Sequence, residues 1–170
     1  MVVFGAGAIG CLFIAVFKAS GAARIVAVEP SSLRAPVAQA LGASEVVTPD
    51  EWAARRTELL PAGADVVVDA VGSVLPQAIE AAGMGARVVM FGMNGNARPP
   101  VHQVEIVEKG LVIYGSYISN FTFPAAIRLV ESGQLDLAPM ITATIGIDDT
   151  AAGIARLRSG EAVKIVIRPE

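Results

Sequence analysis

The sequence predicts an α/β fold in which a doubly wound parallel sheet of about six strands carries helices on both faces. Three observations predict it. Short runs rich in Val, Ile and Ala, at 2–4, 24–28, 45–47, 65–70, 86–91 and 111–116, alternate with stretches of helical pattern, which is the rhythm of βαβ units. The length of 170 residues suits one ordinary domain with a sizeable core. Hydrophobic residues make up 54% and charged residues 17%, with a mean hydropathy of +0.59, so the chain buries itself rather than staying solvated like a disordered tail.

The elements follow from local chemistry. Val2-Val3-Phe4 is the first strand, and the apolar run from Ala8 to Phe17 is the first helix. Ser32 is placed to cap a helix stopping at Gly42, and Ser73 one stopping at Gly83. Thr48-Pro49-Asp50-Glu51 has the spacing of a capping box, with Pro49 at the first helical position, and the helix it opens carries Trp52 and ends near Leu60. Thr122 or Asn120 starts a helix with Pro124 in its first turn and Gly133 after its end. Asp148 or Asp149 starts another that ends at Gly160, and 162–167 again reads as a strand. Pro99-Pro100 is the one stiff break. Near residue 136 the rhythm loosens, which divides the chain into 1–135 and 136–170.

Composition excludes several function classes. Thirteen basic against sixteen acidic residues give a net charge of −3, and the basic residues are scattered, so a phosphate-backbone grip on nucleic acid has no footing. One Cys and one His exclude an internal disulfide framework and a Cys- or His-rich metal site, and point to a reducing, cytoplasmic setting. The longest apolar run is about half the ~20 residues that cross a bilayer, and no secretory leader pattern is present, so no membrane partner is expected.

One motif carries chemistry. Phe4-Gly5-Ala6-Gly7-Ala8-Ile9-Gly10 is a G-x-G-x-x-G between a strand and an apolar helix, and the next strand ends in Glu29, nineteen positions after Gly10. That is the spacing of a Rossmann dinucleotide site. Gly5 permits the tight turn, Gly7 lets the backbone approach a pyrophosphate, Gly10 lets helix and strand pack closely, and the helix N-terminus contributes partial positive charge. A carboxylate at Glu29 accepts hydrogen bonds from both ribose hydroxyls and repels a 2′-phosphate, so NAD(H) is expected rather than NADP(H). The competing view is a bare strand-to-helix turn with Glu29 merely ending a strand. Arg34, five residues on, is expected over the adenine, or else on a solvated helix face.

The stretches VVFGAGAIG, AVEPSSLRAPVAQALGASEVV, ADVVVDAVG, GARVVMFG, KGLVIYGS and SGEAVKIVI resemble, over nearly the whole chain, the cofactor-binding half of the medium-chain, zinc-type alcohol dehydrogenase superfamily, which includes polyol and threonine dehydrogenases. The resemblance implies an NAD-dependent oxidoreductase. It places the dinucleotide loop on Gly5, Gly7, Ala8, Ile9 and Gly10, and the ribose acid on Glu29. Contacts near the adenine and the nicotinamide-side ribose fall on Ala70, Val71 and Gly72, and the carboxamide contacts on Phe91, Gly92 and Met93 and on Ile113 and Tyr114. Lys164 falls where relatives often place a basic residue reaching back to the pyrophosphate, or is an exposed strand lysine.

The same resemblance implies that zinc ligands, structural zinc lobe and proton relay belong to a preceding catalytic domain with no counterpart in these residues. Residues 136–170 would re-enter that domain, so the last strand would lose its usual partners. Such a chain is a fragment of a longer enzyme or a reading frame that starts late, inactive alone; the alternative is a non-catalytic dinucleotide-binding module or redox-sensing subunit. The strand at 111–116 is expected at a sheet edge, where relatives pair across a two-fold axis, which makes a homodimer the expected assembly.

Other residues tempt. Cys11 reads as a small core residue rather than a reactive thiol, and His102 as solvated rather than a proton shuttle. Asp69 is expected to accept backbone N–H groups. Tyr114 and Tyr117 lack the Lys four positions on that a tyrosine-based dehydrogenase needs, since Ile118 and Phe121 stand there. No catalytic or metal-ligating residue is assigned.

Overall fold

Alternation along the strands sorts the side chains of this protein into two cores. In a strand successive side chains face opposite ways, and in the computed structural model, which describes residues 1–118 and 121–169, Val2 and Phe4 join one buried cluster while Val3 joins the other. Val26 and Val28 likewise part from Ala27, and Val67 from Val68. A sheet apolar on both faces must be covered on both, which is why its strands are parallel and joined through helices.

The strands β1 (Val2–Phe4), β2 (Val26–Val28), β3 (Glu45–Val47), β4 (Ala64–Asp69), β5 (Ala82–Met90) and β6 (Val112–Gly115) form a six-stranded parallel sheet in the order β3-β2-β1-β4-β5-β6. Helices α1 (Ala8–Ala19) and α2 (Ala35–Ala40) supply Cys11, Ile14, Ala15 and Ala38 to one core. Helices α3 (Pro49–Leu59) and α4 (Leu75–Ala81) supply Trp52, Leu59, Ala78 and Ala81 to the other. Each fully buried aliphatic side chain contributes about 1.5–3 kcal/mol. The strand order reverses between β1 and β4, so a crevice opens at their carboxyl ends.

Beyond β5 come α5 (Gln103–Glu108), β6, α6 (Phe123–Glu131), β7 (Ile141–Ile145), α7 (Thr150–Arg158) and β8 (Lys164–Ile167). β7 and β8 pair in a parallel two-stranded sheet of their own. Met140 and Val163 bury against the α1/α2 core. Among the described residues no helix is long and apolar enough to cross a membrane.

Several expected boundaries move. The Thr48 capping box forms as expected, its hydroxyl accepting the Glu51 N–H and the Glu51 carboxylate accepting the Thr48 N–H. Ser32 caps nothing: Glu29 Oε1 accepts the Ser31 N–H, Ser31 O accepts those of Arg34 and Ala35, and α2 starts only at Ala35. Ser73 is displaced as a cap by Asp69, whose carboxylate accepts from Val71 (2.9 Å), Gly72 (2.6 Å) and Val74 (3.2 Å). α4 stops at Ala81, and Gly83 lies inside β5 rather than beyond a helix end. β2 begins at Val26, two residues later than expected, and β8 at Lys164. Thr122 and Asp149 precede α6 and α7 without side-chain capping bonds; Asn120, the other expected start of α6, lies outside the described residues. The last strand pairs with β7, which the sequence left unassigned.

Candidate functional site

The crevice at the β1–β4 switch is a cleft of about 560 Å³. The Gly5-to-Gly10 turn forms its phosphate end. Gly5 sits at φ +87°, where an added Cβ would meet Val71 Cγ2 at 2.9 Å. A Cβ on Gly10 would fall on the Gly5 carbonyl, so the two glycines let α1 begin directly against β1. Gly7 is the N-cap of α1. It has extended backbone and no capping side chain, and no acidic residue follows in the first turn, so the first-turn amides of a twelve-residue helix are left without a side-chain acceptor of their own.

Glu29, 4% exposed, follows β2. Its Oε2 accepts the Ala6 N–H at 2.7 Å and its Oε1 the Ser31 N–H at 2.9 Å. Two oxygens carry about four lone-pair sites, so the carboxylate retains capacity for further donors. Arg34 Nη1 lies 3.9 Å from Glu29 Oε1, and the same guanidinium is the nearest group to a Cβ on Gly7, at 4.0 Å. The arginine therefore stands beside the glycine turn.

The cleft brings together Gly5, Gly7, Glu29, Arg34, Ala70 and Val71 of the expected residues. Ala8, Ile9 and Gly10 follow in the first turn of α1. Gly72 and Gly92 touch backbone to backbone, and Asp69 O accepts the N–H groups of Phe91 and Gly92, so the loops after β4 and β5 meet beside the cleft. Phe91 packs edge-on against Phe13 with centroids 5.3 Å apart. Met93 is 75% exposed on the following loop. Ile113 packs against the α3/α4 core, whereas Tyr114, on the edge strand, is half exposed. Lys164 is exposed on β8. None of these last five lines the cleft.

Sequence reasoning missed the far wall. Pro49, Trp52, Ala53 and Arg56 line it from α3, and Val74, Gln77 and Glu80 from the start and body of α4. The signal was present: 49, 52, 53 and 56 fall on one helical face, as do 77 and 80. Trp52 stands edge-on to Phe4 at 5.7 Å, and Arg56 pairs with Glu80 across the two helices. Cys11, beneath the turn, is fully buried and its thiol donates to Ala6 O at 3.3 Å. Burial, reinforced by the Glu29 charge, pushes that thiol up to about 11.

The sequence profile of the zinc-binding dehydrogenases matches residues 8–132. The chain belongs to the zinc-binding dehydrogenase family. Similar proteins include the L-threonine 3-dehydrogenase of Caldanaerobacter subterraneus subsp. tengcongensis, 33% identical over 98% of this chain and 50% of that protein. The crystal structure of 2R,3R-butanediol dehydrogenase from Bacillus subtilis is 33% identical, with a TM-score of 0.88 over 99% of this chain and 50% of the other. An alcohol dehydrogenase of Escherichia coli CFT073, solved with NADH, shares the fold at 23% identity and a TM-score of 0.87, over 96% of this chain and 50% of the other. The chain spans about half the length of the relatives it matches, and the half it matches is the C-terminal one.

Proposed function

We propose that this chain binds NAD(H) as the dinucleotide-holding portion of a zinc-type alcohol or polyol dehydrogenase. The observation that carries the reading is the placement of a bare glycine N-cap and a buried acid one strand over on the same cleft. The first-turn amides of α1 hold the pyrophosphate. Glu29 accepts the hydroxyls of the adenosine ribose and, being anionic, disfavours a 2′-phosphate there. Arg34 closes the charge balance beside Gly7. Ala70, Val71 and Gly72 border the second ribose, and Phe91, Gly92 and Met93, with Ile113 and Tyr114 behind, border the nicotinamide end. Lys164, exposed on β8 and outside the cleft lining, is the basic side chain assigned to reach back to the pyrophosphate.

Hydride exchange with an alcohol carbon is the chemistry a nicotinamide supplies when bound, and the protein's part is to hold and aim it. The residues present do not fit a zinc ion: Cys11 is buried under the sheet, His102 is exposed, and among the described residues no three His, Cys, Asp or Glu converge. We assign residues 136–170 to a catalytic unit in the complete enzyme, supported by the separate β7–β8 sheet. Edge strand β6, with Val112 and Tyr114 exposed, supports a homodimer formed strand to strand. A reducing, cytoplasmic setting suits the buried free thiol.

Calorimetric titration tests the reading. NADH is expected to bind with a dissociation constant in the micromolar to sub-millimolar range and NADPH at least about tenfold more weakly; no uptake of NADH at millimolar concentration would refute it.

A further inference from the structure

The polar groups of the cleft are unevenly distributed. Glu29 and Arg34 stand at the glycine turn, and the middle is walled by Pro49, Trp52, Ala53, Val71 and Val74, which suit a flat apolar ring but cannot tell one purine from another. Only beyond that sandwich does polarity return, where Arg56 reaches from α3 and Glu80 from α4 and the two side chains pair, with Gln77 one helical turn before Glu80. Both partners are partly exposed, at 36% and 47%, and both line the cleft; Arg56 also donates from Nη1 to Ala53 O at 3.2 Å.

An adenine presents, on either of its free edges, a ring nitrogen that accepts a hydrogen bond beside an exocyclic amine that donates one. An arginine held against a carboxylate presents the complementary donor and acceptor. We propose that the Arg56–Glu80 pair reads the base of the dinucleotide on its N7 edge, with Arg56 donating to adenine N7 and Glu80 accepting from the 6-amine. The assignment rests on the dinucleotide reading above and extends it to base specificity. Glu80 is the discriminating member. On that edge hypoxanthine keeps N7 but carries a carbonyl oxygen in place of the amine, which opposes a carboxylate and leaves it without its donor, and unpaired polar groups at a site built for a hydrogen bond are strongly selected against. Arg56 alone would favour hypoxanthine, because a free guanidinium fork matches a carbonyl oxygen beside N7.

The test compares NADH with reduced nicotinamide hypoxanthine dinucleotide by calorimetric titration of the wild-type chain and of Glu80→Gln. The wild type is expected to bind the hypoxanthine form about tenfold or more weakly. Glu80→Gln, whose amide can turn to donate, is expected to erase or invert the preference while keeping the wild-type circular dichroism spectrum. Equal affinities of the wild type for the two dinucleotides would overturn the base-reading role and leave NADH binding standing. A preference that survives unchanged in Glu80→Gln would overturn it as well. Failure of the wild type to take up either dinucleotide would overturn the dinucleotide reading itself, and the base-reading role with it.

Discussion

The Glu29 carboxylate accepts the backbone N–H of Ala6, 23 residues earlier, at 2.7 Å. This bond ties the end of β2 to the middle of the glycine turn, so the acid that faces the cleft also fixes the shape of the loop. Replacing Glu29 by Ala strands the Ala6 and Ser31 N–H groups. The expected cost is about 1–3 kcal/mol for the buried Ala6 donor left unpaired and less for the half-buried Ser31 one, visible as a lower melting temperature, together with loss of NADH uptake. Unaltered stability in Glu29→Ala would show that the bond holds nothing.

Gly7 and Gly10 separate binding from folding. A Cβ on Gly7 meets only the Arg34 guanidinium, at 4.0 Å, and the backbone there is not left-handed. Gly7→Ala is expected to melt within about 0.5–1 kcal/mol of wild type while binding NADH at least about tenfold more weakly, because the methyl stands where the phosphate approaches. Gly10→Ala drives a methyl into the Gly5 carbonyl and is expected to lose about 3 kcal/mol or more. Paired melting and titration experiments on the two variants check both expectations.

Cys11 gives the fold a pH dependence on the alkaline side. Its folded thiol is raised to about 11 from an ordinary 9.0. The native state therefore holds the proton longer than the unfolded chain does. The resulting contribution is fully present below about pH 9 and is lost as pH rises towards 11. Denaturant melts from pH 8 to 11 are expected to show falling stability in the wild type and a shallower fall in Cys11→Ala. Native protein at pH 8 is expected to resist a thiol-specific reagent that labels it once unfolded.

The edge position of β6 leads to an assembly test. Multi-angle light scattering is expected to give twice the chain mass of 17.5 kDa. Gly115→Pro, which removes an outward-facing backbone donor of the exposed edge strand, is expected to shift the mass towards that of one chain. A wild-type particle of 17.5 kDa would count against strand-to-strand pairing.

Much of this was legible in the sequence. The six strands of the main sheet, the Gly5-to-Gly10 turn, the Thr48 box and Glu29 are set by local chemistry, by side-chain period and by spacing along one βαβ unit. What escaped depends on contacts between distant segments. Ser73 looked like a cap, but Asp69 captures the same amides because β4 aims its last side chain into the turn. β7 carries an ordinary β-branched run between Pro139 and Gly146, and what makes it a strand is β8, more than twenty residues away. The far wall of the cleft escaped because Arg56 and Glu80 lie on different helices and meet only when both pack on the sheet.

The most direct measurement of the central claim is a crystal structure of this chain grown with saturating NADH. The account predicts the diphosphate on the backbone N–H groups at Gly7 and the first turn of α1, with the adenosine ribose hydroxyls within about 3 Å of the Glu29 carboxylate. A glycine turn left bare at saturation, or a Glu29 carboxylate turned away from a bound dinucleotide, would contradict it.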